Sequence, residues 1–343
     1  MKIRAAVLEE FGTPLEVQEV ELAEPQAGEV LVRLVACGVC HTDLYTASGA
    51  DPSGYAPTVL GHEGAGVVEQ VGERVSSLTP GDHVVTLFSP QCRECEHCLD
   101  PRTNLCLAVR EQQGLGFLPD GTMRLSREGE PIRHFMGTST FAEYTVMPEI
   151  ALAKIDSEAP LDRACLFACG LSTGLGAVAG CRLRGAERIL CVDLSEERLA
   201  RARGQGATET LAGGPDTVQA VLDMTGGMGA DYTFEATGNV AVMRQAVESA
   251  RMGWGLATVC GVAGKGETLD VVPRLLITGR RVAGSSFGGV KGRDQVPEFV
   301  RLYLAGEIDV DAFVSHKLTL DEVNRGFKLM EAQDGIRSVI DFA

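Results

Sequence analysis

Cys92, Cys95, Cys98 and Cys106 form a C-x2-C-x2-C-x7-C run. Four thiolates so spaced suit a closed tetrahedral zinc site, and with every position filled by protein such a zinc is structural rather than catalytic. A ferredoxin-type cluster is the competing reading, but that run closes in C-x3-C-P, whereas Leu107 follows Cys106. Four unlinked free thiols are the remaining alternative. Two shorter motifs lie upstream. GVCHTD sets Cys40 beside His41, Thr42 and Asp43, and GHEGAG sets His62 and Glu63 among glycines that let backbone approach closely. A lone Cys or His is most often structural; together, with an acid beside each, these look like half a metal site. The stretch ACGLSTGLGAVAG, residues 168–180, reads two ways. Cys169 is either a last metal ligand, or it merely precedes Gly174, Gly176 and Gly180 in a glycine-rich turn that cradles a pyrophosphate.

The elements that must position these residues change grammar along the chain. KIRAAVL, LEVQEVEL, EVLVRLVAC, GAGVVEQVG and GDHVVTLF are short strand-like runs separated by turns such as Gly12-Thr13-Pro14. Short strands at close spacing predict a barrel or sandwich. FAEYTVM and ALAKIDS continue it. From RILCVDL onward strands alternate with helices: SEERLARARGQGA with Ser195 as N-cap, ADYTFEATG, NVAVMRQAVESAR, then GLATVCGVAG. That alternation predicts a parallel α/β sheet. Asp193, closing the RILCVDL strand, sits where a dinucleotide-binding fold places the carboxylate for the adenosine ribose. Two helices, in GRDQVPEFVRLYLAGE and LTLDEVNRGFKLMEAQDG, and a final strand IRSVIDF complete the chain.

Composition sets the outer limits. A chain of 343 residues is long for one core and predicts two domains. A formal net charge of -16 and the lack of a basic stripe exclude nucleic acid as a general partner. The N-terminus has no apolar leader segment, and no run approaches the ~18 apolar residues of a membrane span, so a cytoplasmic protein is expected. Eleven cysteines in a reducing compartment point to metal or catalysis more than to disulfides.

Taken together, Cys40, His62, the Cys92–Cys106 run, Cys169 and Asp193 resemble the zinc-dependent medium-chain alcohol dehydrogenases nearly end to end. The wording of GVCHTD, SGADPSG, GHEGAG, PQCRECEHCLDPRTNLC, MGTSTFAEYTV, ATGNVAVMR and SSFGG is most similar to the class III members, the S-(hydroxymethyl)glutathione or glutathione-dependent formaldehyde dehydrogenases. The resemblance implies a GroES-like β-barrel catalytic domain, residues 1–170 and 288–343, and a Rossmann-type parallel-sheet coenzyme domain, residues 171–287. It implies two zinc ions per chain, NAD as coenzyme, a small alcohol or thiol adduct as substrate, and a homodimer. The catalytic zinc would be held by Cys40, His62 and Cys169 with a fourth position open. Glu63 would lie close by, and Asp43 would support His62. Thr42 would relay the alcohol proton. His41 and Arg337 match residues at the coenzyme phosphates, Thr173 lies with the coenzyme residues, and Arg198 sits beside the adenosine ribose. Asp193 would favour NAD over NADP by repelling a 2′-phosphate. Zinc is needed because an alcohol holds its proton at neutral pH; bound zinc brings a water pKa from about 15.7 to about 7.

Asp51 and Arg110 match class III positions for the charged ends of the glutathione adduct, with the Arg110 fork suited to a carboxylate. Ser53 and Leu107 stand where the family has a glutamate and a glutamine, which removes two polar partners and favours longer primary alcohols. The coenzyme half departs further. Asp193 lies 19 residues beyond Gly174, yet the last gap in Gly174-x-Gly176-x-x-x-Gly180 holds three residues instead of two, and CLFACGLST makes a poor central strand. In the family STGLGAV opens a linking helix, and the first strand with its glycine turn comes later. Roughly two dozen residues, most of the first half of a βαβ unit, are absent near residue 178. The expectation is a chain that binds both zinc ions but binds NAD poorly or not at all. Three functions follow: a class III dehydrogenase acting on S-(hydroxymethyl)glutathione, a general primary-alcohol dehydrogenase, or a non-catalytic zinc protein.

Overall fold

The computed structural model describes residues 1–51, 54–175 and 178–342, and the side chains of all of these but 174, 175, 178 and 179. Its chain forms two compact units, Met1–Ser172 with Val290–Ala343, and Thr173–Gly289. Among the described residues no helix is long and apolar enough to cross a membrane.

The first unit is β-rich. Strands Lys2–Leu8, Glu16–Leu22, Leu125–Arg127, Glu130–His134 and Thr58–Val59 close a barrel. Period-two alternation lets one strand serve two cores. Ile3, Ala5 and Val7 pack with Val20, Leu22, Leu125 and Ile132, while Ala6 and Leu8 pack with Leu60, Phe135 and Phe141. The hub is Glu29–Gly38, which pairs with Glu63–Val71, Tyr144–Pro148 and the C-terminal Arg337–Asp341. Only Arg33 along it is exposed, as a strand covered on both faces requires. Its register sets Gly38 opposite Glu63 on one side and opposite Val339 on the other. Cys40 thus follows the end of the hub, and His62 and Arg337 are brought to the same end. The 3-10 turn Cys165–Ala168 packs on the hub and on Glu63–Val71, which delivers Cys169 there as well.

Among its described residues the second unit holds five parallel strands in two separate sheets. Leu190–Asp193 pairs with Glu209–Ala212, and Tyr232–Glu235, Leu256–Val259 and Arg281–Gly284 form the other. Helix Thr217–Met224 is one the sequence reading does not place, while the alternation with helices Glu196–Gly204 and Val240–Ser249 is the one the sequence predicts. So is the missing first strand: among the described residues none lies between Lys154 and Leu190. Gly174 and Gly180 fall in the short helices Gly170–Leu175 and Val178–Leu183, not in a strand-to-helix turn, and Gly176 lies outside the described residues. A strand the sequence reading does not anticipate, Val314–Leu318, runs parallel to Arg337–Asp341 in the first unit.

Candidate metal centres

Both cysteine-based clusters assemble within the first unit. Cys92, Cys95, Cys98 and Cys106 each point a sulfur so that all four lie within 4.8 Å of one another. The Cys92–Cys98 and Cys95–Cys106 sulfurs are 3.7 and 4.0 Å apart. A tetrahedron of thiolates at about 2.3 Å from zinc has edges of about 3.8 Å, so the cradle fits that ion. The loop is built to hold negative sulfur. Glu94 and Cys95 N–H groups donate to Cys92 Sγ at 3.5 and 3.3 Å, and Cys98 and Leu107 N–H groups donate to Cys95 Sγ at 3.4 and 3.5 Å. Burial pushes the Cys95 thiol up, but these amides outweigh it and bring it down to about 6. Lys291 ties the loop to the C-terminal part of the unit through the carbonyls of Cys98 and, at 2.9 Å, Asp100.

The second cluster, Cys40, His62, Glu63 and Cys169, also brings its ligand atoms within 4.8 Å. Asp43 organises it. Cys40 is the N-cap of helix His41–Ala47, and Asp43, in that helix's first turn, accepts the Cys40 N–H at 3.1 Å. Its other oxygen accepts the Gly61 N–H at 3.0 Å and bonds His62 Nδ1 at 3.0 Å. One fully buried carboxylate therefore joins the two loops and puts the His62 proton on Nδ1, leaving Nε2 to face the thiols. Phe88 and Phe135 set ring edges against the imidazole, with centroids 5.6 and 5.9 Å away.

Charge at this centre is unbalanced. The adjoining Cys169 thiol, with His62 and Arg337, holds Cys40 well below the ordinary thiol range despite burial, and the Cys40 charge in turn pushes Cys169 up. Both sulfurs ionise together only beside added positive charge, which a divalent cation supplies. Glu63 is buried and pushed up to about 7, chiefly by desolvation, with Arg337 opposing. Its Oε1 accepts the Gly170 N–H at 3.0 Å and pairs with Arg337, while Oε2 is buried without a partner. Two glycines make room for this pair. A Cβ on Gly38 would stand 2.1 Å from Glu63 Oε2, and one on Gly170 would stand 2.4 Å from Arg337 Nη2. Two sulfurs and an imidazole are three donors for zinc and leave one position open, with a Glu63 carboxylate oxygen close by.

The remaining expected residues fall as follows. Thr42 Oγ1 lies 3.7 Å from Cys40 Sγ, and His41 is exposed at the start of its helix. Arg337, expected at coenzyme phosphates, is committed to Glu63. Asp51 accepts from Thr46 Oγ1 at 2.9 Å; Arg110 is exposed at the start of helix Arg110–Gln113, and Leu107 is exposed nearby in sequence. Ser53 lies outside the described residues. In the second unit Asp193 ends its strand and accepts the Ser195 N–H at 2.8 Å, Arg198 is in the following helix, and Thr173 is half-buried in Gly170–Leu175. The Glu63–Arg337 pair and the phenylalanine edges are what sequence reasoning misses, since nothing local connects residues so distant in the chain.

Comparison with known proteins agrees with this geometry. Residues 26–157 match the family model for the alcohol dehydrogenase GroES-like domain, and residues 172–340 match that for zinc-binding dehydrogenases. The chain is 46% identical to the S-(hydroxymethyl)glutathione dehydrogenase of Paracoccus denitrificans, over 373 aligned positions that cover 99% of this chain and 100% of that one. It is also 46% identical to an alcohol dehydrogenase class-3 of Cereibacter sphaeroides, with 100% of each covered. A crystal structure of an alcohol dehydrogenase zinc-binding domain protein from Burkholderia ambifaria superimposes with a TM-score of 0.92 at 31% identity, covering 100% of this chain and 99% of the other. An alignment of 373 positions against 343 residues leaves stretches of the Paracoccus protein without a counterpart here.

Proposed function

The chain belongs to the zinc-binding alcohol dehydrogenases, a zinc- and NAD-dependent family, and from that premise we propose that it oxidises S-(hydroxymethyl)glutathione or a related primary alcohol at the Cys40–His62–Cys169 centre. The observation that carries the reading is the approach of these three donors and a Glu63 carboxylate oxygen to within 4.8 Å of one another. Zinc bound there would make the alcohol proton acidic enough to leave near neutral pH. The protein's own residues do the rest. Asp43 keeps the His62 proton on Nδ1, so that Nε2 remains a lone-pair donor. Thr42 Oγ1, beside Cys40 Sγ, is the hydroxyl positioned to accept the alcohol proton. Glu63 and Arg337 together hold a near-neutral floor under the donors, so the charge there is set by the sulfurs. Asp51 and Arg110 are proposed to meet the charged ends of a glutathione adduct. The names of relatives 46% identical over the whole chain support that substrate. The reading extends to a cytoplasmic homodimer, supported by the family alone.

A second reading, a general primary-alcohol dehydrogenase, is favoured by the exposed Leu107 where the family has a glutamine. Cobalt(II)-exchanged protein separates the two without relying on coenzyme. The visible absorption of cobalt at the Cys40–His62–Cys169 centre should shift when formaldehyde and glutathione are added together, and respond more weakly to octanol. A shift with octanol and none with the glutathione adduct would move the assignment to the second reading. No shift with either would leave only a zinc protein.

A further inference from the structure

We infer that this chain lacks the pyrophosphate cradle of its family and that its NAD affinity falls at least about 100-fold as a result, while its metal centres stay intact. The inference concerns the coenzyme half and does not depend on which alcohol is oxidised.

Strand order carries the first part. A complete sheet of this class runs 3-2-1-4-5-6, with the first strand in the middle. Here Glu209–Ala212 and Leu190–Asp193 pair as the third and second strands would. Tyr232–Glu235, Leu256–Val259 and Arg281–Gly284 pair as the fourth, fifth and sixth. Among the described residues the two sets share no ladder, and the break falls where the first strand belongs. The strands flanking the break are correspondingly bare. No residue of Leu190–Asp193 is buried, and along Tyr232–Glu235 only Glu235 is. Parallel strands are normally covered on both faces. Val192, Tyr232 and Phe234 are instead 40%, 62% and 39% exposed.

The amides carry the second part. A dinucleotide pyrophosphate is held by free N–H groups at the helix that follows the first strand. Among the described residues each helix of eight or more residues in this unit has its N-terminus closed to an anion. Glu196–Gly204 opens with two glutamates, and its Arg198 N–H is directed at Ser195 Oγ. Thr217–Met224 starts after Asp216, and the Gly214 N–H before it donates to Thr217 Oγ1 at 2.9 Å. Val240–Ser249 follows the strand beside the break, the position from which a helix could stand in for the lost cradle. There Glu235 Oε1 already takes the Thr237 and Gly238 N–H groups, at 2.5 and 2.8 Å, and the Thr237 hydroxyl at 2.7 Å. A carboxylate thus occupies the place an incoming phosphate would need and repels it besides. Asp193 remains for a ribose, but it offers nothing to the phosphates. Hydrogen bonds to a charged group contribute about 1.5–3 kcal/mol each, so losing two gives the 100-fold or more stated above.

The test compares the full chain, zinc-loaded, with a variant carrying the segment of the Paracoccus protein that has no counterpart here, inserted at residue 178, ahead of Gly180. NADH binding is followed by fluorescence and by calorimetry. The expected result is weak or no binding by the native chain at NADH concentrations that saturate the variant, with an affinity gain of about 100-fold or more on insertion. Zinc content and the cobalt spectrum should be alike in both. Low-micromolar NADH binding by the native chain overturns the inference, whether or not the variant folds. So does a folded variant with all six strands paired and no gain in affinity. Failure of the cobalt spectrum to respond to any alcohol would instead count against the proposed substrate, leaving this inference standing.

Discussion

Asp43 is the side chain on which the metal centre depends without its being a ligand. It accepts from the Cys40 and Gly61 backbones and holds His62 Nδ1, with no exposure to water. An asparagine in its place has one oxygen instead of two. Its oxygen can replace Oδ1, which strips the Cys40 N–H of its acceptor, or replace Oδ2, which sets the NH2 against the Gly61 N–H and His62 Nδ1, and Nδ1 must then accept. In that second case the imidazole proton moves to Nε2, the nitrogen that faces the sulfurs, and the lone pair for zinc is lost. Asp43→Asn should therefore weaken zinc binding at this centre by about 10–100-fold. Chelator competition on protein with two zinc ions should show one released early while the ion at Cys92–Cys106 is retained. Equal retention of both in the variant would mean that Asp43 serves folding only.

At the scale of elements, legibility follows sequence distance. The thiolate run is legible because its four ligands and most of the amides that serve them lie between Cys92 and Leu107. The strand–helix alternation after Leu190 and the missing first strand are legible because each unit of that pattern is local. Val314–Leu318 is not, since VSHKL carries a serine, a histidine and a lysine, and only Leu318 in it is buried. Nor is the partner of Arg337, since Glu63 is reached only once the C-terminal strand pairs with the hub. His134 is a third case. It ends a barrel strand, fully buried, and its Nε2 accepts the Arg124 N–H at 3.0 Å, so the proton sits on Nδ1, which has no partner. Burial, then the Arg124 guanidinium, lowers it to about 3, with Asp120 opposing weakly. Because the folded value lies below the ordinary 6.5, only the unfolded chain takes the proton between those values. The stability due to neutral His134 is therefore complete above pH 6.5 and is lost as pH falls toward 3, by up to about 1.4 kcal/mol per pH unit. Urea unfolding of the native chain and of His134→Gln across pH 4–7 should give a shallower pH slope for the variant by about that amount. Parallel slopes would refute the assignment.

At the scale of the molecule, the two units differ in what holds them. The first has a closed barrel, a sheet built around a buried hub, and a four-thiolate loop tied by Lys291. The second has two short open sheets among the described residues, and one buried hydrophobic cluster in it is small: Val247, Ala250 and Ala257 with Val271 and Leu275 against it. Strands of four residues with open edges gain little from pairing, and exposed Tyr232, Phe234 and Val192 contribute little hydrophobic burial. The second unit should accordingly unfold first. The chain carries its own reporter for this: the single tryptophan, Trp254, lies in the second unit, with Asp231 on its Nε1 at 2.9 Å and the Arg251 guanidinium 4.6 Å over its ring. On heating, tryptophan fluorescence should change at a lower temperature than the far-ultraviolet signal of the barrel. A chelator should lower the second transition and leave the first where it is, because the metal centres lie in the first unit. Inserting the missing strand should raise the tryptophan transition toward the other. Coincident transitions in the native chain would show that the divided sheet costs the second unit no independent stability.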